Sequence, residues 1–279
     1  MAFHSRDNSR LDSCVRDGCI HKALHWNGNP ACIIIDCKAA VATAELSVDG
    51  PINHGDAERL RLTVNRMLGL TQTIEPFETQ YRDHDVLGRM IRTHPGLRIP
   101  TASSPFEAIT WAILGQQISL AAAISIRRRL IQRTGAQHST GLFCHPDPSR
   151  IAAIPVDELT TAGLSRTKAS TLSNLAQLVS NGTLDLDSHE AATHPETVGT
   201  ALMGIKGVGQ WTASYTLLRG YGYLDGSLHG DAALRRSMQM QPGLPAEVSE
   251  FYAKEWLAQF SPWRALVAAH LWAMLGVQT

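Results

Sequence analysis

The sequence predicts a mainly α-helical protein with a small α+β domain at its N-terminus. Three features carry that reading. Period-two apolar patterns are confined to residues before about 50, helical patterns dominate afterwards, and HPGLRIP at 94–100 interrupts the chain with two prolines and a glycine. At 279 residues the chain is longer than one compact core usually needs, which agrees with two domains.

Residues 1–18 are polar and aperiodic, so they are expected to be a loose tail. Residues 19–98 are expected to form the α+β domain. In it ACIIIDC is a short apolar strand, and AVATAELSV sets Ala42, Ala44, Leu46 and Val48 on one face against Thr43, Glu45 and Ser47. Asp56 is placed to cap a helix whose Leu60, Val64, Met67 and Leu68 form one stripe, and a second helix is expected over about 76–92.

Residues 99–279 read as an all-helical domain. SPFEAITWAILGQQ opens with Ser104 as N-cap, Pro105 at the first helical position and Glu107 at the third, a capping box in front of the Phe106, Ile109 and Ile113 face. GQQI breaks that helix, and the next one carries Arg127, Arg128, Arg129 and Arg133, a run that suits either a solvated face or a phosphate-facing edge. PSRIAAIPVDEL, SRTKASTLSNLAQLVSNG, HPETVGTALMGI, GQWTASYTLLRG, DAALRRSM, PAEVSEFYAKEWLAQF and SPWRALVAAHLWAML follow as short helices.

Hydrophobic residues at 44% and charged residues at 18% describe an ordinary globular chain and exclude a disordered one. With 25 basic and 25 acidic side chains the formal net charge is zero, so a nucleic-acid partner would have to be held by a local basic face. Cys14, Cys19, Cys32, Cys37 and Cys144 are odd in number and lack metal spacing, which argues against a disulfide framework or a zinc ribbon. The N-terminus has no apolar signal core and no run reaches membrane-spanning length, so a cytoplasmic protein is expected.

Two short segments carry chemistry. In IKGVGQWT, Gly207 and Gly209 flank Val208 between two apolar helices, where glycine permits a tight turn and close approach of a ligand to the first amides of the next helix. A phosphate fits that geometry, although a GxG turn alone is often only a turn. One helix and one loop later Asp231 stands directly before ALRR, the position of a helix N-cap.

Together, residues 202–236 resemble the helix-hairpin-helix, glycine-rich loop, aspartate (HhH-GPD) superfamily of DNA base-excision glycosylases, and within it the AlkA-type 3-methyladenine DNA glycosylase II branch. HPGLRIP, SPFEAITWAILGQQIS, AGLSRTKASTL and SPWRALVAAHLWAML look like segments in the same order in that family. The resemblance implies a helix-hairpin-helix glycosylase fold and a monofunctional enzyme of base-excision repair. Such an enzyme flips alkylated purines, of the 3-methyladenine and 7-methylguanine type, and hydrolyses the N-glycosidic bond. It implies Asp231 as the catalytic carboxylate, with Asp225 in the same loop a much weaker rival, and a base pocket of Trp211, Tyr215 and Trp272, while Trp111, Trp256 and Trp263 read as core.

The same resemblance implies a DNA-binding hairpin of Lys206, Gly207, Val208 and Gly209, and Gln117 or Ile118 as the side chain that fills the hole left by a flipped base. It implies no required cofactor, but a structural monovalent cation on the backbone of Met203, Ile205 and Val208. No cysteine lies beyond Cys144, so no iron-sulfur cluster is expected. The implied partner is double-stranded DNA with a damaged base, met by a monomer associated with the nucleoid. Trp211 stands where bifunctional relatives hold a Schiff-base lysine, and Leu228, His229 and Gly230 stand where the family often has a proline before the aspartate. The alternatives are the same fold acting on deaminated or oxidised bases, and a non-catalytic hairpin protein that only binds DNA.

Overall fold

The computed structural model describes residues 2–5, 7, 9–38 and 41–276. A four-stranded antiparallel sheet comes first, in the order β1 (Ser13–Arg16), β2 (Cys19–Trp26), β3 (Asn29–Asp36) and β4 (Thr43–Val48). Asp17-Gly18 joins Arg16 to Cys19 and Asn27-Gly28 joins Trp26 to Asn29, with all four turn residues at φ between 49° and 77°. These are two-residue hairpins of the kind whose twist matches the flanking strands. Ile20, Leu24, Trp26, Ala31, Ile33 and Ile35 pack on Val64 and Met67 of α1 (Asp56–Met67), with Leu60 and Leu68 alongside as the stripe predicts.

The loose tail expected through residue 18 is not what the structure contains. Ala2–Ser5 is a turn of 3-10 helix, Phe3 lies under the Arg219 guanidinium at 4.4 Å, and β1 is hydrogen-bonded to β2. The segment is polar because its polar groups have partners: His4 Nε2 is 3.3 Å from the Met67 carbonyl, and burial lowers the His4 pKa to about 3. Asp56, expected as a cap, is the first residue of α1, and its carboxylate accepts from the Asn53 amide at 2.6 Å.

Helices α2 (Glu75–Tyr81) and α3 (Leu87–Thr93) replace the single helix expected over 76–92. The break has a local cause, since His84 Nδ1 accepts from the Val86 and Leu87 amides at 3.1 and 3.2 Å and holds a turn in front of α3. The remaining helices are α4 (Pro105–Gly115), α5 (Leu120–Thr134), α6 (Pro148–Ala152), α7 (Val156–Thr161), α8 (Arg166–Ser180), α9 (His189–Thr193), α10 (Pro195–Met203), α11 (Gln210–Thr216), α12 (Ala232–Gln239), α13 (Glu250–Ala258) and α14 (Arg264–Met274). A π-helical turn, Leu217–Tyr221, extends α11. Among the described residues no helix is long and apolar enough to cross a membrane.

Two apolar clusters organise these helices. One holds α4, α5, α8 and α10 together; the other packs Phe77, Tyr81, Leu87 and Met90 against Leu266, Leu271 and Trp272 of α14. The break at 94–100 therefore falls inside a shared core, because α2 and α3 bury their apolar faces on α14, while the apolar face of the sheet packs on α1.

Sheet and helices are joined by buried charge. Lys22 Nζ lies 2.6 Å from Asp12 Oδ2 and 2.7 Å from Glu107 Oε1; Arg127 lies 2.6 Å from each of the same two oxygens. This corrects two expectations. Ser104 does accept from the Glu107 amide, but the Glu107 carboxylate turns to the cluster and to Ser103 instead of closing the capping box. The arginine run is neither a solvated face nor a phosphate edge throughout, since Arg127 is buried here, Arg128 donates to Asp7 and Arg129 to the Ala162 carbonyl.

Burial alone would raise the Asp12 and Glu107 pKa values, but Arg127 and Lys22 outweigh it and hold both below the usual carboxylate range. Removing one partner from such a cluster leaves a buried charge uncompensated, so Glu107→Gln is expected to lower the unfolding free energy by about 3–5 kcal/mol, measured by urea denaturation. The depressed folded values mean that this stabilisation is complete above about pH 4, the unfolded carboxylate range, and is lost as pH falls further. The acid limb of the stability profile should be shallower in Glu107→Gln. A loss under about 1 kcal/mol with an unchanged acid limb would contradict the account.

Candidate active site

The hairpin runs from α10 through residues 204–209 into α11. Ile205 and Val208 are buried in the core and hold it down, while Lys206 is exposed. Its two glycines serve different needs. Gly207 has φ 94°, and a Cβ there would lie 2.2 Å from Thr171 Oγ1, which itself donates to the Lys206 carbonyl at 3.0 Å. Gly209 has φ −100° and open space where a Cβ would stand, so nothing inside the chain demands glycine there. It is the N-cap of α11 with no capping side chain, which leaves that helix start open to an external acceptor.

Asp231 is the N-cap of α12 and Oδ1 accepts from the Leu234 amide at 2.8 Å. Two indoles converge on the same carboxylate: Trp272 Nε1 donates to Oδ1 at 3.1 Å and Trp211 Nε1 to Oδ2 at 3.0 Å. Three donors from α11, α12 and α14 thus fix its orientation. Asp225 has another role, pairing with Arg264 at 2.8 Å and accepting from Ser261 at 2.9 Å, which ties the loop to α14.

The carboxylate opens on a cleft of about 1400 Å³. Its walls include Trp111, Gln117, Lys168, Trp211, His229 and Asp231. Trp211 and Tyr215 stack with centroids 5.2 Å apart and planes 28° apart, as a four-residue spacing on one helix allows. The three aromatics of the expected pocket differ in what they present. All three line the cleft, but Tyr215 and Trp272 are only 6% and 1% exposed and pack into the apolar cluster behind it, whereas Trp211 is half-buried and presents more of its ring. Trp272 meets the carboxylate through its N–H and is not an open stacking face.

Gln117 and Ile118 sit in the turn between α4 and α5, both exposed and both on the cleft rim, with Gln117 at φ 54°. Several residues that border the site were not readable as such in the sequence. Gln116 Nε2 donates to the Gly207 carbonyl and to Thr212 Oγ1, both at 2.9 Å, linking that turn to the hairpin across 91 and 96 residues. Trp111, read as core, is 8% exposed yet lines the cleft. His229 bonds Ser227 Oγ through Nδ1 at 2.8 Å, and burial lowers its pKa. Only the departure from the family's proline marked that position beforehand.

The arrangement offers a fixed anion beside an aromatic face, in a cleft bordered by an exposed helix start and by Lys168 and Arg236. A chain with these parts can hold a phosphate-bearing ligand and stabilise positive charge developing next to Asp231.

The family described as HhH-GPD superfamily base excision DNA repair protein matches residues 110–258. The chain is 34% identical over 198 residues to DNA-3-methyladenine glycosylase 2 of Escherichia coli (strain K12), covering 69% of this chain and 65%, just under two thirds, of that protein. It is 23% identical over 228 residues to DNA-3-methyladenine glycosylase of Bacillus subtilis (strain 168), covering 81% of this chain and 75% of the relative. The solved structure of a 3-methyladenine DNA glycosylase from Archaeoglobus fulgidus overlays with a TM-score of 0.79 at 21% identity, covering 97% of this chain and 91% of the other, which shows a shared fold.

The two hairpin glycines should respond differently to substitution. Gly207→Ala is expected to destabilise the fold by about 1–3 kcal/mol, through its positive φ and the contact with Thr171. Gly209→Ala should stay within about 0.5 kcal/mol of the parent. Thermal denaturation of both variants measures this, and equal losses would remove the distinction.

Proposed function

The chain belongs to the HhH-GPD superfamily of base excision DNA repair proteins, and from that premise we propose that it is a monofunctional DNA glycosylase that removes alkylated purines from duplex DNA. The observation that carries the proposal is the Asp231 carboxylate, held by the Trp211 and Trp272 indoles and the Leu234 amide at the wall of an aromatic cleft.

In this mechanism the damaged nucleotide rotates out of the duplex into the cleft, where Trp211 offers its face to the base. Cleavage of the C1′–N bond sends the bonding electrons to the purine and leaves positive charge on the deoxyribose, which the Asp231 carboxylate opposes. Water then adds at C1′ and loses a proton, giving an abasic site. A purine alkylated at N3 or N7 is already cationic and departs neutral, so the reaction asks for exposure and electrostatics more than for a strong general acid. A cationic ring also gains from an aromatic face, by roughly 0.5–2 kcal/mol.

Lys206, Gly207, Val208 and Gly209 are assigned to the DNA backbone, supported by the open helix start at Gly209 and the exposed lysine. Gln117 and Ile118 are assigned to the gap left by the flipped base, supported by their exposure at the cleft rim. A monovalent cation on the carbonyls of Met203, Ile205 and Val208 belongs to the same reading. The Met203 and Val208 carbonyls take up no hydrogen bond among the described residues, while the Ile205 carbonyl accepts from the Val208 amide at 3.0 Å. Such an ion would fix the hairpin's shape. The protein acts as a monomer on double-stranded DNA in this proposal.

Asp231→Asn is expected to reduce release of 3-methyladenine by about 100-fold or more, as loss of a preorganised charge at a transition state does. An asparagine keeps an acceptor for the Leu234 amide but sets its own NH2 against one indole N–H, so a stability loss of about 1–3 kcal/mol should accompany it. Excision near the parent rate in a folded variant would remove Asp231 from the mechanism.

With tryptophan at 211 in place of a lysine, borohydride should trap no covalent adduct, and strands should break only after alkali. Trp211→Ala should slow excision and narrow the preference for cationic over neutral bases by roughly 0.5–2 kcal/mol. These are read by scoring released base and strand breaks separately on single-lesion duplexes; a trapped adduct would mean that another amine is the nucleophile.

A further inference from the structure

The turn between α4 and α5 is held in a disfavoured shape by residues distant in sequence. Gln117 has φ 54°, in the left-handed region that side-chain-bearing residues seldom enter. Such conformations persist where the surroundings over-determine them, and they gather at ligand clamps. Here two side chains provide that determination. Lys168 Nζ donates to the Leu114 carbonyl at 2.9 Å and to the Gln116 carbonyl at 2.7 Å. Gln116, from within the turn, reaches the Gly207 carbonyl and Thr212 Oγ1 at 2.9 Å each.

The placement of Lys168 makes little sense for its own helix. It is the third residue of α8, and its amide bonds the N-cap Ser165 at 3.3 Å, so its charge sits at the positive end of that helix's dipole. The carbonyls it meets belong to the other kind of terminus. At Gln116 the backbone leaves the α4 helix with ψ 126°, and the last carbonyls of α4 lose their intrahelical donors. An ammonium is the complementary group there. The side chain is half-buried against these carbonyls, and burial lowers its pKa.

We propose that Lys168 is the positioning residue of the intercalating turn: it holds Gly115, Gln116 and Gln117 in the inserting shape before DNA arrives, and Gln116 couples that shape to the phosphate-facing hairpin. This rests on the glycosylase reading for the identity of the substrate, but the preorganisation is a property of the free chain. A loop already ordered loses little entropy when it enters the duplex. Lys168 should therefore matter for extruding a base from a paired stack and not for breaking the C1′–N bond.

The test uses the full chain with Lys168→Met, which keeps length and loses the donors, and Lys168→Arg, which keeps them. Two measurements are made. Hydrogen exchange on the free protein follows the amides of residues 115–119, and single-turnover excision is timed on 7-methylguanine in a normal pair and opposite an abasic site, where no pairing opposes extrusion. In Lys168→Met the exchange at 115–119 should quicken by about tenfold or more with the rest of α8 unchanged. Excision from the paired duplex should fall by about tenfold, or about 1.4 kcal/mol, and from the unpaired one by less than about twofold, with Lys168→Arg near the parent in both.

Unchanged exchange at 115–119 would overturn the proposal, and so would equal losses on the two duplexes. If Lys168→Met does not fold, Lys168→Gln, which retains one donating group, should give intermediate exchange and excision on the paired duplex; parent-like exchange there would count against it. A parent protein that releases neither lesion would refute the glycosylase reading, while the exchange measurement would still decide the role of Lys168.

Discussion

The position of helix α4 is fixed by four buried charges. Asp12 from the N-terminal segment, Lys22 from β2, Glu107 from α4 and Arg127 from α5 form two acidic and two basic corners of one cluster, all at 2.6 to 2.7 Å. The arrangement balances charge within itself, which is the condition under which burying it is tolerable. Its consequence is positional. Glu107 lies in the first turn of an eleven-residue helix buried from Pro105 to Leu114, so the cluster fixes one end of a stiff rod about 16 Å long. The other end of that rod is Gly115, where the turn with Gln116, Gln117 and Ile118 begins. The sheet therefore contributes to the cleft without touching it, by anchoring the helix that delivers the turn.

The cleft repeats this economy at Asp231. The residue that starts α12 by accepting from the Leu234 amide is also the anion that the proposed chemistry requires, and the second role uses the geometry set by the first. Two indole N–H groups add to the fixation from helices far apart in sequence, and both indoles are anchored by packing in the same apolar cluster. A carboxylate so held has little freedom to reorganise during a reaction, which is the property that makes a fixed charge effective beside a developing cation.

What the sequence made legible follows from how local each signal is. Asp231 before ALRR and the glycines of IKGVG are local features, and the structure finds a cap at one and a positive φ at Gly207 in the other. The Asp17-Gly18 and Asn27-Gly28 turns are equally local but formed no part of the sequence reading, in which the polar residues around the first concealed a strand. The arginine run could not be resolved from sequence, because what separates Arg127 from a solvated arginine is Asp12, 115 positions earlier. Trp272 differed in kind: its place in the base pocket was implied by resemblance, but whether it offers a ring face or an N–H, here to Asp231, depends on packing around α14.

The same locality governs the electrostatics of the proposed DNA complex. A formal net charge of zero, with 25 residues of each sign, predicts no bulk attraction to a polyanion. Several cations are already committed: Lys22 and Arg127 to the buried cluster, Arg128 to Asp7, Arg264 to Asp225. Among the described residues Lys206 on the hairpin and Arg236 along the cleft form no ion pair with an acidic side chain, while Lys168 on the cleft wall is committed to the Leu114 and Gln116 carbonyls. Screening confines each charge to roughly 8–10 Å in physiological salt, so a phosphate at the hairpin would respond to the charges near it and hardly to the balance of the whole chain. The field at the proposed contact is therefore set by a few side chains, with Lys206 exposed on the hairpin beside the open helix start and Arg236 set against Asp231 and Glu250 along the cleft.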